Sequence, residues 1–536
     1  MPVLAINNIS VEARNGESVL LAAERAGIHI PRMCWLKDFE PSASCMMCVV
    51  QERKTGKVLI SCSVQAEEGM DIVTDNTEIE DLRKTALELL LSEHYGDCEA
   101  PCQRACPAGM NIPEVNRLIR DGELNRAIQV VKKSIALPAI LGYICPAPCE
   151  KACRRKDIDQ PVSICLLKRF VVEYDLFGRE AYKAEMLPAR EKTVAIIGAG
   201  ATGLSAAYYL NLEGYGCHLY DSAGQPGGTL RAAVTEGTLP EKVLEAEIEH
   251  ILSQGPVFHP HCRIEATEIK EQLAPKFDYI LYAGTEEAGI DFASFGTDLC
   301  PEFKELDIYS IRNCRIFVPL NKQGKNKLAV RSVALGKKAA DWLIDYDQQQ
   351  VLPLSKKSFN SVYRPIAVEE QAEFLKEADN HNNSINPADN NTYSEQQARQ
   401  EAARCLHCDC RKKDNCLLRE HSNHYQPNAR RYRLDPAPFV EKNTSHPLVV
   451  FETLKCIKCG LCLQTAQKEG DKTGLCFEGR GFNVRVAVPL QRNLESIKDS
   501  TLIKCARNCP TGAIALRSSN LERPVNRELF LNSGKK

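Results

Sequence analysis

Cysteines recur along this sequence at short, repeated separations: Cys34-x10-Cys45-x2-Cys48-x13-Cys62, Cys98-x3-Cys102-x3-Cys106-Pro, and Cys145-Pro-Ala-Pro-Cys149-x3-Cys153. Further on come Cys405-x2-Cys408-x-Cys410-x5-Cys416, then Cys456-x2-Cys459-x2-Cys462 with Cys505-x3-Cys509-Pro far downstream. Nineteen of the 25 cysteines fall in these groups. Disulfide frameworks belong mostly to short secreted chains. Several soft thiolates brought to one place in a reducing compartment bind metal instead. Zinc favours paired C-x2-C knuckles, whereas these triplets follow iron–sulfur spacings. Zinc stays open as the alternative for Cys405–Cys416.

The elements that must hold these thiols can be read in outline. VLAINNISVEAR alternates like a β-hairpin and SVLLAAERAGI reads as a helix with an apolar face, so residues 1–80 are expected to form a small β-rich domain. Residues 81–185 read as helical. In 190–345, TVAIIGAGATGLSAAYYL gives strand, glycine turn and helix in that order. Gly198, Gly200 and Gly203 suit the tight turn, the approach of a pyrophosphate and the helix–strand packing, and Asp221 ends the next apolar strand where it can bond a ribose. Residues 346–393 are polar and Asn-rich, a surface linker. Ser394-x-x-Gln397 is a capping box that opens a helix into the Cys-rich segment 394–435, and 436–536 forms the last domain.

Composition sets bounds. The chain has 536 residues, enough for three or four domains, with net charge −2 and 44% apolar residues. Nothing in that balance argues for nucleic acid or a membrane surface. No apolar run reaches transmembrane length and no signal-peptide pattern opens the chain, which predicts a cytoplasmic protein without a membrane span.

The first group of cysteines resembles the [2Fe–2S] site at the N-terminus of the large cluster-carrying subunit of complex I and of [FeFe]-hydrogenases. The resemblance implies a β-grasp ferredoxin domain with Cys34, Cys45, Cys48 and Cys62 as ligands. The stretch CPAGMNIPEVNRLI … CPAPCEKAC … PVSICLLKRF resembles the N-terminal helical domain of the glutamate synthase small subunit and its relatives, dihydropyrimidine dehydrogenase among them. Such domains hold two [4Fe–4S] clusters. Carried over, Cys106, Cys145, Cys149 and Cys153 form one site. The second would use Cys98 and Cys102; the family's late acidic or amide ligand falls at Lys168, and Cys165 and His94 are the candidates for the remaining bonds. The alternative makes Cys165 a buried thiol, His94 a surface or capping histidine, and this cluster absent.

PGGTLRAAV, with Gly227 and Gly228, continues the same resemblance and implies FAD rather than NAD. The family's second, NADPH-binding Rossmann domain has no counterpart, and its closing Gly-Asp falls at Leu320-Asn321. The resemblance therefore implies an FAD-type Rossmann domain without an NADPH site, or a scaffold. Cys405, Cys408, Cys410 and Cys416 resemble the complex I segment in which a histidine and three cysteines hold a cluster; with four thiols present, His407 is read as solvent-facing. Cys456, Cys459 and Cys462 take Cys509, the remote Cys-Pro, as fourth ligand, with Cys505 as the alternative. The two-cluster domain they resemble would need cysteines at Ala466, Asp499 and Leu502, so a single cluster is expected. Cys217, Cys262, Cys300, Cys314 and Cys476 read as core thiols.

The fold expectation is a multidomain α+β and α/β chain: β-grasp ferredoxin, α-helical [4Fe–4S] domain, Rossmann-like FAD domain and C-terminal ferredoxin-like region. One [2Fe–2S], three to four [4Fe–4S] and FAD would serve it. No nucleophile–base constellation is visible. The composite resembles the electron-relay subunit of NAD-linked hydrogenases, formate dehydrogenases and complex I-like assemblies. That implies a diaphorase-type flavoprotein, its [2Fe–2S] companion and a catalytic metal-centre subunit as partners, hydrogenase before formate dehydrogenase. The alternatives are a stand-alone FAD reductase fed by ferredoxin, and a scaffold with a vestigial flavin domain.

Overall fold

The computed structural model describes residues 1–178, 181–284, 292, 295–297, 306–311, 313–319, 328–349, 358–379, 383–387, 392–433 and 438–517. Leu320, Asn321 and Cys300 lie outside them. The chain divides into two compact units, each made of discontinuous segments: 1–99, 357–377 and 408–536 in one, 100–356 and 378–407 in the other.

In the first unit, the N-terminal sheet orders its five strands Ile9–Glu12, Val3–Ile6, Asp71–Val73, Val49–Glu52 and Val58–Ile60. The predicted hairpin is there, antiparallel from Val3↔Glu12 to Ile6↔Ile9. The central pair, Val3–Ile6 with Asp71–Val73, is parallel. Helix Val19–Arg25 opens on Ser18, whose Oγ accepts the Leu21 N–H. It turns Val19, Leu20, Ala22 and Ala23 into a core with Leu4, Ile6, Val50 and Ile72. Helix Thr77–Ser92 belongs to this unit too. Its Arg83 donates to the carbonyls of Met47, Val49 and Thr74, and so clamps the loop that carries Cys45 and Cys48.

The C-terminal part pairs Lys442–Asn443, Val449–Glu452 and Ile514–Leu516 in an antiparallel sheet. Helices Leu461–Lys468 and Asp499–Asn508 complete its core. Ala466 and Leu502 are buried, and Asp499 faces His446 at 3.2 Å.

The surface-linker expectation for 346–393 needs correction. Its first residues, to Gln349, finish helix Ala329–Gln349. Residues 358–377 pack into the first unit: Ser361, Tyr363 and Phe374 are buried, and the Tyr363 hydroxyl donates to Glu370 at 2.6 Å. Aromatic residues scattered in a polar stretch supply this anchoring, which the composition of the stretch conceals.

The second unit joins a helical part, which includes Ile112–Arg120, Leu124–Lys132, Pro138–Ile144 and Ile164–Leu176, to a seven-stranded sheet. Strands Cys314–Pro319, Tyr279–Tyr282, Thr193–Ile197, Gly216–Tyr220 and Val257–His259 run parallel, the Rossmann arrangement, with an antiparallel extension through Leu306–Ile311 to Gly296–Thr297. Helix Ala329–Gln349 packs on helix Ala201–Leu212 so closely that a Cβ on Gly336 would stand 2.2 Å from the Thr202 carbonyl oxygen. The Ser394–Gln397 capping box forms as expected, with both reciprocal bonds. No helix of the described residues is long and apolar enough to cross a membrane.

Candidate functional site

In the N-terminal domain, the loops between strands hold Cys34, Cys45, Cys48 and Cys62, all buried. Left-handed backbone at Ala43 and Met46 bends the loop around them. The thiols form two hydrogen-bonded pairs: the bond with Cys45 lowers the Cys34 pKa and raises that of Cys45, and the bond with Cys62 lowers Cys48 and raises Cys62.

Cys456, Cys459, Cys462 and Cys509 line one cavity, with Gly460, Thr511 and Ile514. Left-handed Lys458 and Gly460 turn the C-x2-C-x2-C loop before helix Leu461–Lys468 begins. Cys505 stands apart, its thiol donating to the Cys462 carbonyl at 3.4 Å. Lys412 donates from its Nζ to the carbonyls of Ala506 and Cys509, which ties the Cys410 loop to this cavity's wall.

Cys98, expected to share a site with Cys102, is held in the first unit by backbone contacts. Its carbonyl accepts the Cys410 N–H at 3.1 Å, and its thiol accepts the Ser361 N–H at 3.4 Å. Burial pushes the Cys98 thiol up to about 11, and Cys410 adds to the rise. Burial likewise raises Cys416 to about 12, with Cys410 and Cys98 contributing as like charges. Cys98, Cys410 and Cys416 therefore share one region. A Cβ on Gly512 would stand 2.1 Å from the Cys410 sulfur. His94 is buried rather than exposed, and its Nδ1 has no hydrogen-bond partner among the described residues. Burial first, and then Lys455, a neighbour of Cys98 and Cys410 as well, lower its pKa to about 4. These groups are not isolated: Cys34, Cys45, Cys416 and Cys459 belong to a single apolar cluster with Met33, Met47, Leu87, Leu91, Leu418, Ile457 and Leu461.

In the second unit, Cys106, Cys145, Cys149 and Cys165 line one cavity. Cys153, expected as the fourth thiol of this set, is not among the residues lining the cavity. Cys145 and Cys165 share a hydrogen bond that lowers the pKa of Cys145 and raises that of Cys165. Cys165 lies in the first turn of helix Ile164–Leu176, and its N–H is held by Glu150 at 2.8 Å. Left-handed Ala147 turns the Cys-Pro-Ala-Pro-Cys loop toward it. Cys153 faces Cys405 instead: burial and then the Cys405 thiol push it up to about 11. Two buried arginines impose that meeting. Arg155 pairs with Asp159 at 2.6 Å and donates to the Arg404 carbonyl at 3.1 Å, while Arg404 pairs with Glu401 at 2.8 Å. Of the group Cys405–Cys416, Cys405 lies beside Cys153 in the second unit, and Cys410 and Cys416 lie beside Cys98 in the first. Cys102 is buried and Cys408 half-buried. His407, expected to face solvent, is buried, with the Arg120 Nη1 at 3.2 Å from its Nε2.

The glycine turn fits a dinucleotide. Gly198 has φ +105°, and a Cβ there would meet the Ala283 carbonyl at 2.9 Å; a Cβ on Gly203 would stand 1.8 Å from the Gly198 oxygen. A Cβ on Gly200 would meet nothing within 4 Å, which leaves room for a phosphate to approach the backbone. Gly227 donates to the Ala199 carbonyl, and Gly228 closes against Gly200. Asp221 accepts from the N–H groups of Ala199 and Ala223 at 2.7 and 2.9 Å, an arrangement that fixes its carboxylate beside the turn. Among the lone thiols, Cys217 and Cys314 are buried as expected, but Cys262 and Cys476 are half-exposed.

Residues 3–77 match a 2Fe-2S iron-sulfur cluster binding domain, residues 92–178 match dihydropyrimidine dehydrogenase domain II, 4Fe-4S cluster, and residues 196–256 match an NAD(P)-binding Rossmann-like domain. The NADPH-Fe(3+) oxidoreductase subunit beta of Geobacter sulfurreducens is 36% identical over 34% of this chain and 28% of its own length. The NADP(+)-dependent formate dehydrogenase subunit beta of Moorella thermoacetica is 33% identical over 34% and 29%. The NAD-dependent dihydropyrimidine dehydrogenase subunit PreT homolog of Salmonella typhi is 31% identical over 37% and 48%. The chain spans less than half the length of each of these relatives. The NAD+-reducing [NiFe]-hydrogenase in its H2-reduced state aligns over 98% of this chain and 91% of its own at 12% identity, with a TM-score of 0.36.

Proposed function

We propose that this chain is an electron-relay subunit of an NAD(P)-linked oxidoreductase. The observation that carries the reading is the apolar cluster of the first unit, where thiols from three cysteine groups far apart in sequence share one core. A substrate enzyme needs no such convergence; a path for electrons between neighbouring centres does. In this reading Cys34 with Cys45, and Cys48 with Cys62, hold the two irons of a [2Fe–2S] centre, matching their pairing. Cys456, Cys459, Cys462 and Cys509 hold a [4Fe–4S] centre, as do Cys106, Cys145, Cys149 and Cys165. Cys98, Cys410 and Cys416 with His94 form a third, and Cys102, Cys153 and Cys405 contribute to a fourth.

When bound, the clusters supply one-electron transfer. The protein's part is to fix the thiolates, exclude water and set the local charge. The Rossmann part holds FAD on Gly198, Gly200 and Gly203, with Asp221, Gly227 and Gly228 closing the turn. A diaphorase-type flavoprotein with its [2Fe–2S] companion, and a hydrogenase or formate dehydrogenase subunit, complete the assembly; the formate dehydrogenase subunit among the relatives supports that placement. Anaerobically purified protein is expected to hold about eighteen iron atoms and as many acid-labile sulfides, and to co-purify with those partners. Iron near two atoms per chain, or rapid NADPH oxidation by the isolated chain, overturns the reading.

A further inference from the structure

The cavity lined by Cys106, Cys145, Cys149 and Cys165 has a fifth polar wall, Lys168. Lys168 is one turn beyond Cys165 on helix Ile164–Leu176 and is 5% exposed. Its Nζ donates to the Leu141 carbonyl at 2.9 Å. Among the described residues no carboxylate lies within ion-pair distance of it. The nearest acids, Glu150 and Glu247, interact with it at longer range, and burial raises the pKa of both. Glu150 is engaged by the Cys165 N–H, and Glu247 by the N–H groups of Ala139 and Ile140.

A buried ammonium without an adjacent carboxylate is costly unless another anion faces it. Four thiolates around an iron–sulfur cube are such an anion, negative when oxidised and one charge more negative when reduced. We propose that Lys168 is the counter-ion of the centre held by Cys106, Cys145, Cys149 and Cys165, stabilises its reduced form and raises its reduction potential. This rests on the relay reading. Lys168 falls where the resembled helical domain has the late ligand of its other cluster, and a protonated ammonium cannot bind iron. The same cavity is lined by Val330, from the helix that packs on the glycine-turn helix. A raised potential at this point makes the centre an electron store beside the nucleotide-binding part.

The test is an EPR-monitored redox titration of the anaerobically purified full chain. Cys149→Ser identifies the component, by removing or altering it. At the wild-type midpoint of that component, Lys168→Met is expected to lower the reduced-to-oxidised ratio at least tenfold, about 59 mV for one electron. Lys168→Arg should keep the ratio within threefold. An unchanged midpoint in Lys168→Met overturns the proposal while leaving the relay intact. If Lys168→Met loses the centre, Lys168→Gln and Lys168→Arg decide: retention in Arg alone supports a counter-ion, and loss in both overturns it. If Cys149→Ser changes neither iron content nor any EPR component, the cluster assignment itself fails.

Discussion

Glu247 accepts two backbone N–H groups at the start of helix Pro138–Ile144, the helix that leads into Cys145. Burial raises its pKa from an ordinary 4.5 to about 7, against the lowering effect of those two bonds. The folded state therefore holds this proton more tightly than the unfolded chain does. The resulting stability is fully present below pH 4.5 and is lost as the pH rises through 7, an erosion of roughly 3 kcal/mol. Glu247→Gln, which cannot titrate, should lose that slope while giving up one N–H···O bond. Apparent melting temperatures measured from pH 5 to pH 8 should fall more steeply for wild type than for the variant; parallel curves would contradict the assignment. A second residue-scale contrast concerns Cys505 and Cys509. Cys509 lines the cavity with Cys456, Cys459 and Cys462, whereas Cys505 is turned toward the Cys462 carbonyl. Cys505→Ser should keep all the iron, and Cys509→Ser should lose about four atoms per chain.

At the scale of elements, the glycine turn makes the sharpest demand. A methyl group on Gly203 would collide with the Gly198 oxygen at 1.8 Å, and backbone cannot move aside without opening the turn. On the proposed reading that this turn holds FAD, Gly203→Ala should reduce bound flavin at least tenfold while the [2Fe–2S] absorption is unchanged, because the cysteines of that centre belong to the other unit. Flavin released by acid, measured by fluorescence, gives the answer. This turn was legible in the sequence because strand, glycines, helix and acid follow one another within some thirty residues. The hairpin, the Ser394 cap and the C-x2-C loops were legible for the same reason. What the spacing hid is every choice made by packing between remote elements. Cys165 rather than Cys153 lines the cavity with Cys106, Cys145 and Cys149, while Arg155, bonded to the Arg404 carbonyl, holds the segment before Cys405 near Cys153. Likewise Cys98 meets Cys410 through a backbone hydrogen bond, with Ser361 supplied by a stretch whose polar composition reads as a linker.

At the scale of the whole molecule, the first unit is not the N-terminal third of the chain. Its ferredoxin-like sheet, residues 358–377 and the C-terminal part belong together although residues 100–356 intervene. The apolar cluster shows what that interleaving accomplishes. Met33, Met47, Leu87 and Leu91 come from the first 99 residues, while Leu418, Ile457 and Leu461 come from beyond residue 408. Glu88 is joined to the same distant segment, accepting from the Asn428 N–H and pairing with Arg431 at 3.0 Å. A fragment of residues 1–99 would keep its own sheet core, with Leu4, Ile6, Val50 and Ile72, but would expose the apolar face beside Cys34 and Cys45. Exposing four such side chains costs on the order of several kcal/mol. The fragment should thus still take up a [2Fe–2S] centre yet lose it at lower temperature than the full chain, and it should self-associate. Cluster absorption followed during heating, with sedimentation velocity on the same samples, tests both. A monomeric fragment whose cluster survives to the full-chain temperature would show that the shared apolar face contributes nothing to holding this end of the relay.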